Sequence, residues 1–304
     1  MRALIAAGAA VLLAVGVPAC SPDRHGAENG VTDGSPDVVA STDVWGSVTR
    51  AVVGDHARVR SIVNGTVADP HSFEASPADA AAISDATLVV FNGGGYDHWV
   101  DEILATHPDL PRVDGYSLLT PSQQPANEHV FYDLEAVKAV ANTIAEKLGK
   151  SDPAHSDDYT ANASEFEAEL DTLAMAQRLV GQAHPGVSVI STEPVAYYLL
   201  RNAGITDKTP EAFAEAMEQG NDPAPADVAA MLDLIDSGEV SAIVVNTQTE
   251  TAATKQILEA ATRARLPVIS VTETLPEGVD YLDWQRATVD EMAARLDAAP
   301  PARR

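Results

Sequence analysis

Cysteine is nearly absent from this 304-residue chain: Cys20 stands alone, so no disulfide can form within it. Aromatic residues are scarce at 5%, which argues against a pocket with aromatic walls of the kind that encloses an organic solute. Basic residues are outnumbered, 19 Lys and Arg against 45 Asp and Glu, for a formal net charge of −26. Such a surface repels phosphate backbones and argues against a nucleic-acid partner. No Gly-x-x-x-x-Gly-Lys-Ser/Thr loop and no His-Glu-x-x-His run occurs, so the chain carries neither a P-loop nor that zinc-peptidase helix. After the first residues, no run is long and apolar enough to span a membrane. What remains is a chain with 45% hydrophobic residues, able to build ordinary cores, at a length that suggests about two domains.

The N-terminus reads as a processing signal. Met1-Arg2 is a short basic start, and residues 3–17 are almost uninterruptedly apolar. That run is shorter than the ~20 residues of a membrane span and fits a secretory leader. Val17-Pro18-Ala19-Cys20 follows, and a small residue before a cysteine at this point resembles a bacterial lipobox, in which the cysteine is lipidated and begins the mature chain. The expectation is a signal peptide over 1–19, a lipid at Cys20, and a tether over 20–37 rich in Gly, Ser, Asp, Asn and Pro.

From Val38 onward, short apolar runs alternate with segments of helical spacing. Strands are expected at 38–40, 59–63, 87–91 and 112–114, and helices at 44–53, 77–83, 97–105 and 133–148. Residues 156–182 hold no proline, and no glycine until Gly181, and read as one helix about 40 Å long that joins two lobes. Its many acids imply that much of it faces water. The alternation then restarts, with strands at 187–190, 242–245 and 268–271 and helices at 195–202, 226–237, 252–264 and 281–298. The fold class is α/β: two lobes, each a mostly parallel sheet flanked by helices, joined by one long spine helix. The lobes are expected at 38–155 and 184–304, with the linking helix at 156–183.

In such folds ligands sit beyond the carboxyl ends of the strands. His71, His129, Glu193 and Glu273 all fall there. His71 lies in Asp69-Pro70-His71-Ser72-Phe73-Glu74, a proline-stiffened turn that leads into a helix capped by Ser76 and started by Pro77. Two imidazoles from one lobe and two carboxylates from the other make a complete ligand set for one divalent transition metal. His25 lies in the tether, and His56, His98, His107, His155 and His184 sit in turns or at helix ends, where solvated or capping roles are ordinary; His98 alone also follows a strand end.

Together these residues resemble the solute-binding lipoproteins of the ABC importers for zinc and manganese. The turn at His71 matches that family's first-ligand motif closely. Asn127-Glu128-His129-Val130-Phe131-Tyr132-Asp133 matches the second more loosely, with Glu128 and Phe131 where the family has proline and tryptophan. Ser191-Thr192-Glu193 with Tyr197-Tyr198 matches the third, and Glu273 falls at the fourth, more often an aspartate. The resemblance runs over about residues 38–296 and implies capture of one Zn²⁺ or Mn²⁺ without catalysis. It also implies a monomeric extracytoplasmic receptor anchored to the membrane by Cys20, with a permease and its ATPase as partners on separate chains. The His-rich loop common in zinc members is missing from residues 118–127. Three rival readings remain at this point. One is a zinc-dependent hydrolase with Glu128 as general base, another a binder of an organic solute, and the third a surface adhesin on the same fold.

Overall fold

The computed structural model describes residues 34–66, 70–121 and 127–299. The expected leader, the lipid site Cys20, all but the last of the tether, His25 and the closing residues 300–304 lie outside the described residues. Among the described residues no helix is long and apolar enough to cross a membrane.

The first lobe runs β1 (Asp37–Thr42), α1 (Asp43–Val53), β2 (Arg58–Val63), α2 (Pro77–Ser84), β3 (Leu88–Phe91), α3 (His98–Leu104) and β4 (Arg112–Asp114). Its sheet has the order β2-β1-β3-β4, parallel throughout. After α4 (Leu134–Ser151) and α5 (Ser156–Ala183), the second lobe follows: β5 (Ser188–Ser191), α6 (Tyr197–Ala203), β6 (Thr206–Asp207), α7 (Glu211–Glu218), α8 (Pro225–Ser237), β7 (Ala242–Asn246), α9 (Ala252–Ala264), β8 (Val268–Val271) and α10 (Tyr281–Asp297). Its sheet is β6-β5-β7-β8, again parallel, with the same winding as the first.

The expected architecture is therefore present: two parallel sheets flanked by helices, with the long helix α5 between them. Local features differ from the sequence reading. The strand β6 and the helix α7 fill a stretch punctuated by Pro210, Gly220, Pro223 and Pro225 that carries no long periodic signal. The helix expected from residue 195 opens instead with a 3-10 turn, Pro194–Ala196, before α6. The first strand begins one residue early, because Asp37 pairs with Arg58 at the lower end of β2.

Strand alternation explains how the layers share their side chains. In β1 and β3, Val38, Ala40, Leu88 and Val90 point into a large central core, while Val39, Val89 and Phe91 point into a smaller one under α2 and α3. In the second lobe Val189, Ala242 and Val244 join the same central core, and Ile190, Ile243 and Val245 face a third. The central core thus runs through both lobes. The helix α5 contributes Tyr159, Ala163, Phe166, Leu170 and Leu173 to it, while Asp157, Asp158, Glu165 and Asp171 line its exposed face. Near its end, Gly181 lies so close to α6 that an added Cβ would sit 1.6 Å from the Ala203 carbonyl oxygen.

Candidate metal centre

Each site residue is placed by the end of a strand or by the turn after it. His71 sits in a 3-10 turn, Pro70–Ser72, after β2. The following α2 starts as expected: Ser76 Oγ accepts from the Asp79 amide at 3.2 Å, and the Asp79 carboxylate accepts from the Ser76 amide at 3.1 Å. His129 precedes a 3-10 turn, Val130–Tyr132, that enters α4, whose first amides are capped by Asp133. Glu193 follows β5 and Glu273 follows β8. Both sheets point their carboxyl ends into one cleft, so all four residues line a cavity of about 320 Å³.

Three of the four converge. One nitrogen each of His71 and His129 and one oxygen of Glu273 lie within 4.8 Å of one another. Glu273 Oε2 is 3.2 Å from His71 Nε2 and 3.5 Å from His129 Nε2. His129 and Glu273 are buried, and His71 is partly open to the cleft. Burial alone would push the Glu273 carboxyl up, but hydrogen bonds and charge from the two histidines outweigh it and hold the group far below the ordinary carboxylate range. The site therefore offers an anionic oxygen between two imidazoles, a donor set suited to a divalent transition metal.

The surroundings fix which imidazole nitrogen faces inward. Asn127 Oδ1 accepts from the His129 amide at 2.9 Å and lies 3.0 Å from His129 Nδ1. An oxygen has no proton to give, so Nδ1 carries a hydrogen, and Nε2, which faces Glu273, is the nitrogen that would offer its lone pair to an ion once its own proton has left. For His71, the carboxylate of Glu128 lies 3.4 Å from Nδ1 and leaves Nε2 toward Glu273. Glu128 is one of the residues that departs from the resemblance, and it serves as an orienting partner. The ring of Tyr96 stands edge-on to His71 at 4.6 Å, and its hydroxyl donates to the Glu273 carbonyl at 3.4 Å. Tyr96 follows the turn Asn92-Gly93-Gly94-Gly95, where Gly93 and Gly94 have φ of 73° and 69°. A Cβ there would strike Asp114 or the Tyr116 ring at 2.0 and 2.5 Å, so only glycine lets β3 turn so tightly. Buried Asp97 accepts from the Asn92 and Gly93 amides at 2.7 and 2.8 Å, and burial pushes its carboxyl up to about 6.

Glu193 is held differently. Its Oε2 accepts from Asn246 Nδ2 and its Oε1 from Thr249 Oγ1, both at 2.5 Å, and it does not join the close trio. Burial raises its carboxyl, the two donors lower it, and the nearby Glu273 charge raises it further. Glu218, at the end of α7, escaped the sequence reading. Its carboxylate lies 4.0 Å from His129 Nδ1 and shares a hydrogen bond with Glu128 from the other lobe. Burial, and then the Glu128 charge working against His129, leaves Glu218 raised to about 7. No motif marks this residue; the apolar spacing of Phe213 and Met217 is the one local sign of its helix. Glu128, which the hydrolase reading cast as a general base, is thus engaged with His71 and Glu218.

The remaining described histidines lie elsewhere. His98 is exposed on α3. His56 stacks on His155 with ring centroids 4.1 Å apart, beside Asp158 and Asp152. His107 lies against the Ile103 carbonyl, and His184 pairs with Asp297.

Comparison with known proteins now bears on this geometry. The model of one family, zinc-uptake complex component A, periplasmic (ZnuA), matches residues 38–295. The metal ABC transporter substrate-binding lipoprotein ScbA of Streptococcus cristatus is 22% identical over 305 residues, covering 94% of this chain and 96% of its own. The manganese-binding lipoprotein MntA of Halalkalibacterium halodurans is 24% identical over 226 residues, covering 69% of this chain and 70% of its own. Among solved structures, the periplasmic zinc-binding protein TroA from Treponema pallidum shares the fold, with a TM-score of 0.73 at 17% identity over 86% of this chain and 99% of that one.

Proposed function

We propose, from the premise that the chain belongs to the zinc-uptake complex component A family, that it captures Zn²⁺ or Mn²⁺ between its lobes and delivers the ion to an ABC importer. The observation that carries this reading is the convergence of His71 Nε2, His129 Nε2 and Glu273 Oε2, drawn from both lobes. Glu193 is the fourth ligand in this reading: it lines the same cavity and needs only to exchange Thr249 for the ion. The protein is a binding component and not an enzyme, as the family implies.

The finer parts of the reading concern placement. The relatives named as lipoproteins, together with the Val17-Pro18-Ala19-Cys20 sequence, support an extracytoplasmic receptor tethered by lipid at Cys20. We assign it as a monomer that docks on a permease whose ATPase is a separate chain. A single acyl chain holds a protein only marginally, so stable attachment takes more than one. Cys20→Ala should release the protein or block its maturation, and a variant that is processed normally and stays on the membrane would remove the anchor.

Metal content after purification without added metal, followed by titration with Zn²⁺ and with Mn²⁺, tests the central claim. The expected result is one ion per chain, lost in Glu273→Ala. Binding that survives unchanged in Glu273→Ala would move the site elsewhere.

A further inference from the structure

Strand order alone puts an asparagine between the two carboxylates of the second lobe. In β6-β5-β7-β8 the strand β7 lies between β5, which leads to Glu193, and β8, which leads to Glu273. Asn246 is the last residue of β7 and is 1% exposed. Its side-chain nitrogen donates one hydrogen to Glu193 Oε2 at 2.5 Å and the other to Glu273 Oε1 at 2.7 Å. The amide cannot be turned over. Asn246 Oδ1 accepts from the Gln248 amide at 3.1 Å, and a flip would set that oxygen against two carboxylates. The backbone is pinned too: the Asn246 amide donates to Thr192 Oγ1 at 3.1 Å, and Gln248 Oε1 accepts from the Glu273 and Thr274 amides at 2.5 and 3.2 Å.

The four carboxylate oxygens are therefore not equivalent. Asn246 takes one from each glutamate, and Thr249 takes the second oxygen of Glu193. Glu273 Oε2 is left facing the two imidazoles. With Asn246 in place each glutamate can present one oxygen to a cation and keep the other on the amide. Zinc is satisfied by four nitrogen and oxygen donors, whereas manganese favours sites with more oxygens.

We infer that Asn246 is a specificity-determining residue, which holds both glutamates to one oxygen apiece and so tilts the cleft toward zinc over manganese. This rests on the cation-capture reading above. The amide acts as a positioning group through the glutamates and does not touch the ion.

The test titrates wild type, Asn246→Ala and Thr249→Val with Zn²⁺ and with Mn²⁺, and counts oxygen neighbours of bound Mn²⁺ by X-ray absorption. Asn246→Ala frees one oxygen on each glutamate. The zinc-to-manganese affinity ratio should fall on the order of tenfold, the scale of outer-partner effects on metal sites, and the oxygen count should rise. Thr249→Val releases Glu193 Oε1, the oxygen already offered to the ion, and leaves Asn246 on the other, so both affinities should move together while the ratio and the oxygen count hold. Equal losses for both ions with an unchanged oxygen count would make Asn246 merely structural and overturn the inference. Should Asn246→Ala fail to fold, Asn246→Ser, whose single hydroxyl cannot donate to both carboxylates, is read in the same way, and an unchanged ratio and oxygen count in it overturn the inference. A wild type that binds neither ion removes the proposed function and this inference together, whereas a wild type that binds while the Asn246 variant keeps its ratio removes the inference alone.

Discussion

Tyr281, at the start of α10, donates its buried hydroxyl to the carbonyl of Phe131 at 2.7 Å, two residues beyond His129. The second lobe is thereby fastened to the segment that carries a site histidine of the first. Other bonds run alongside it. The Tyr132 hydroxyl donates to the Thr272 carbonyl at 3.0 Å, the Leu275 amide to Asp43 at 3.0 Å, and Thr274 Oγ1 to the Gly65 carbonyl at 2.9 Å. With the shared central core, these ties brace the lobes against rotation past one another.

Only a small difference between loaded and chelated forms is therefore expected. Large closures use a few loop residues that absorb the rotation, and here a helix of 28 residues and a continuous core join the lobes. Small-angle scattering profiles with and without Zn²⁺ should superimpose. A clear metal-dependent drop in radius of gyration would contradict this.

Metal binding should stabilise the fold and fade in acid. Ligation needs the Nε2 lone pairs of His71 and His129, so protons compete with the ion as pH falls. Ion bound only to the native state raises the melting temperature by mass action. Melting with and without chelator at neutral and mildly acidic pH checks this: the gap between the two curves should be wide at neutral pH and shrink in acid.

Glu218 gives a stability term with the opposite slope. Its carboxyl is raised from 4.5 to about 7, chiefly by burial and then by Glu128. A raised acid favours the fold while the native state holds the proton and the unfolded chain does not need to give one up. Its contribution is complete below pH 4.5 and is lost as pH rises through about 7. Glu218→Gln cannot ionise and escapes this loss. Urea denaturation of chelated protein should show the variant gaining ~1–3 kcal/mol more over wild type at pH 8 than at pH 5. Equal differences at both values would mean that Glu218 ionises normally.

Gly181→Ala sets two effects of known size against each other. Helix propensity favours alanine by ~1 kcal/mol. The new Cβ would stand 1.6 Å from the Ala203 carbonyl oxygen, a backbone atom that cannot swing aside. Overpacking of this kind costs ~1–3 kcal/mol or more, so the clash wins and the variant should melt lower. Gly220→Ala is a poor control because Gly220 has φ of 66°; Ala168→Gly, on the exposed face of α5, isolates the propensity effect.

Much of this was readable from residues alone, and the reasons are physical. Apolar runs buried on both faces mark most of the strands, Glu193 and Glu273 stand two residues beyond strand ends, and His71 lies in the proline turn between β2 and α2. Cap chemistry located the start of α2, and apolar spacing the start of α4 to within a residue, though α4 runs three residues beyond its expected end. Asn246 was not readable, because its role depends on which strands flank β7, a fact of pairing and not of local sequence. Glu218 was hidden for a related reason: α7 is short, lies between prolines, and reaches His129 only across the cleft. Glu128 looked like a departure from the expected motif until its contact with His71 gave it a task.

The two sheets share one winding, second strand, first, third, fourth, yet the nitrogens at the site come from one and the trio's oxygen from the other. Neither half, folded by itself, holds a usable set of donors. An ion held by this trio would act as an inspector of assembly, since tight capture requires that both halves are built and correctly mated. Damage to either half would then show as a loss of metal binding.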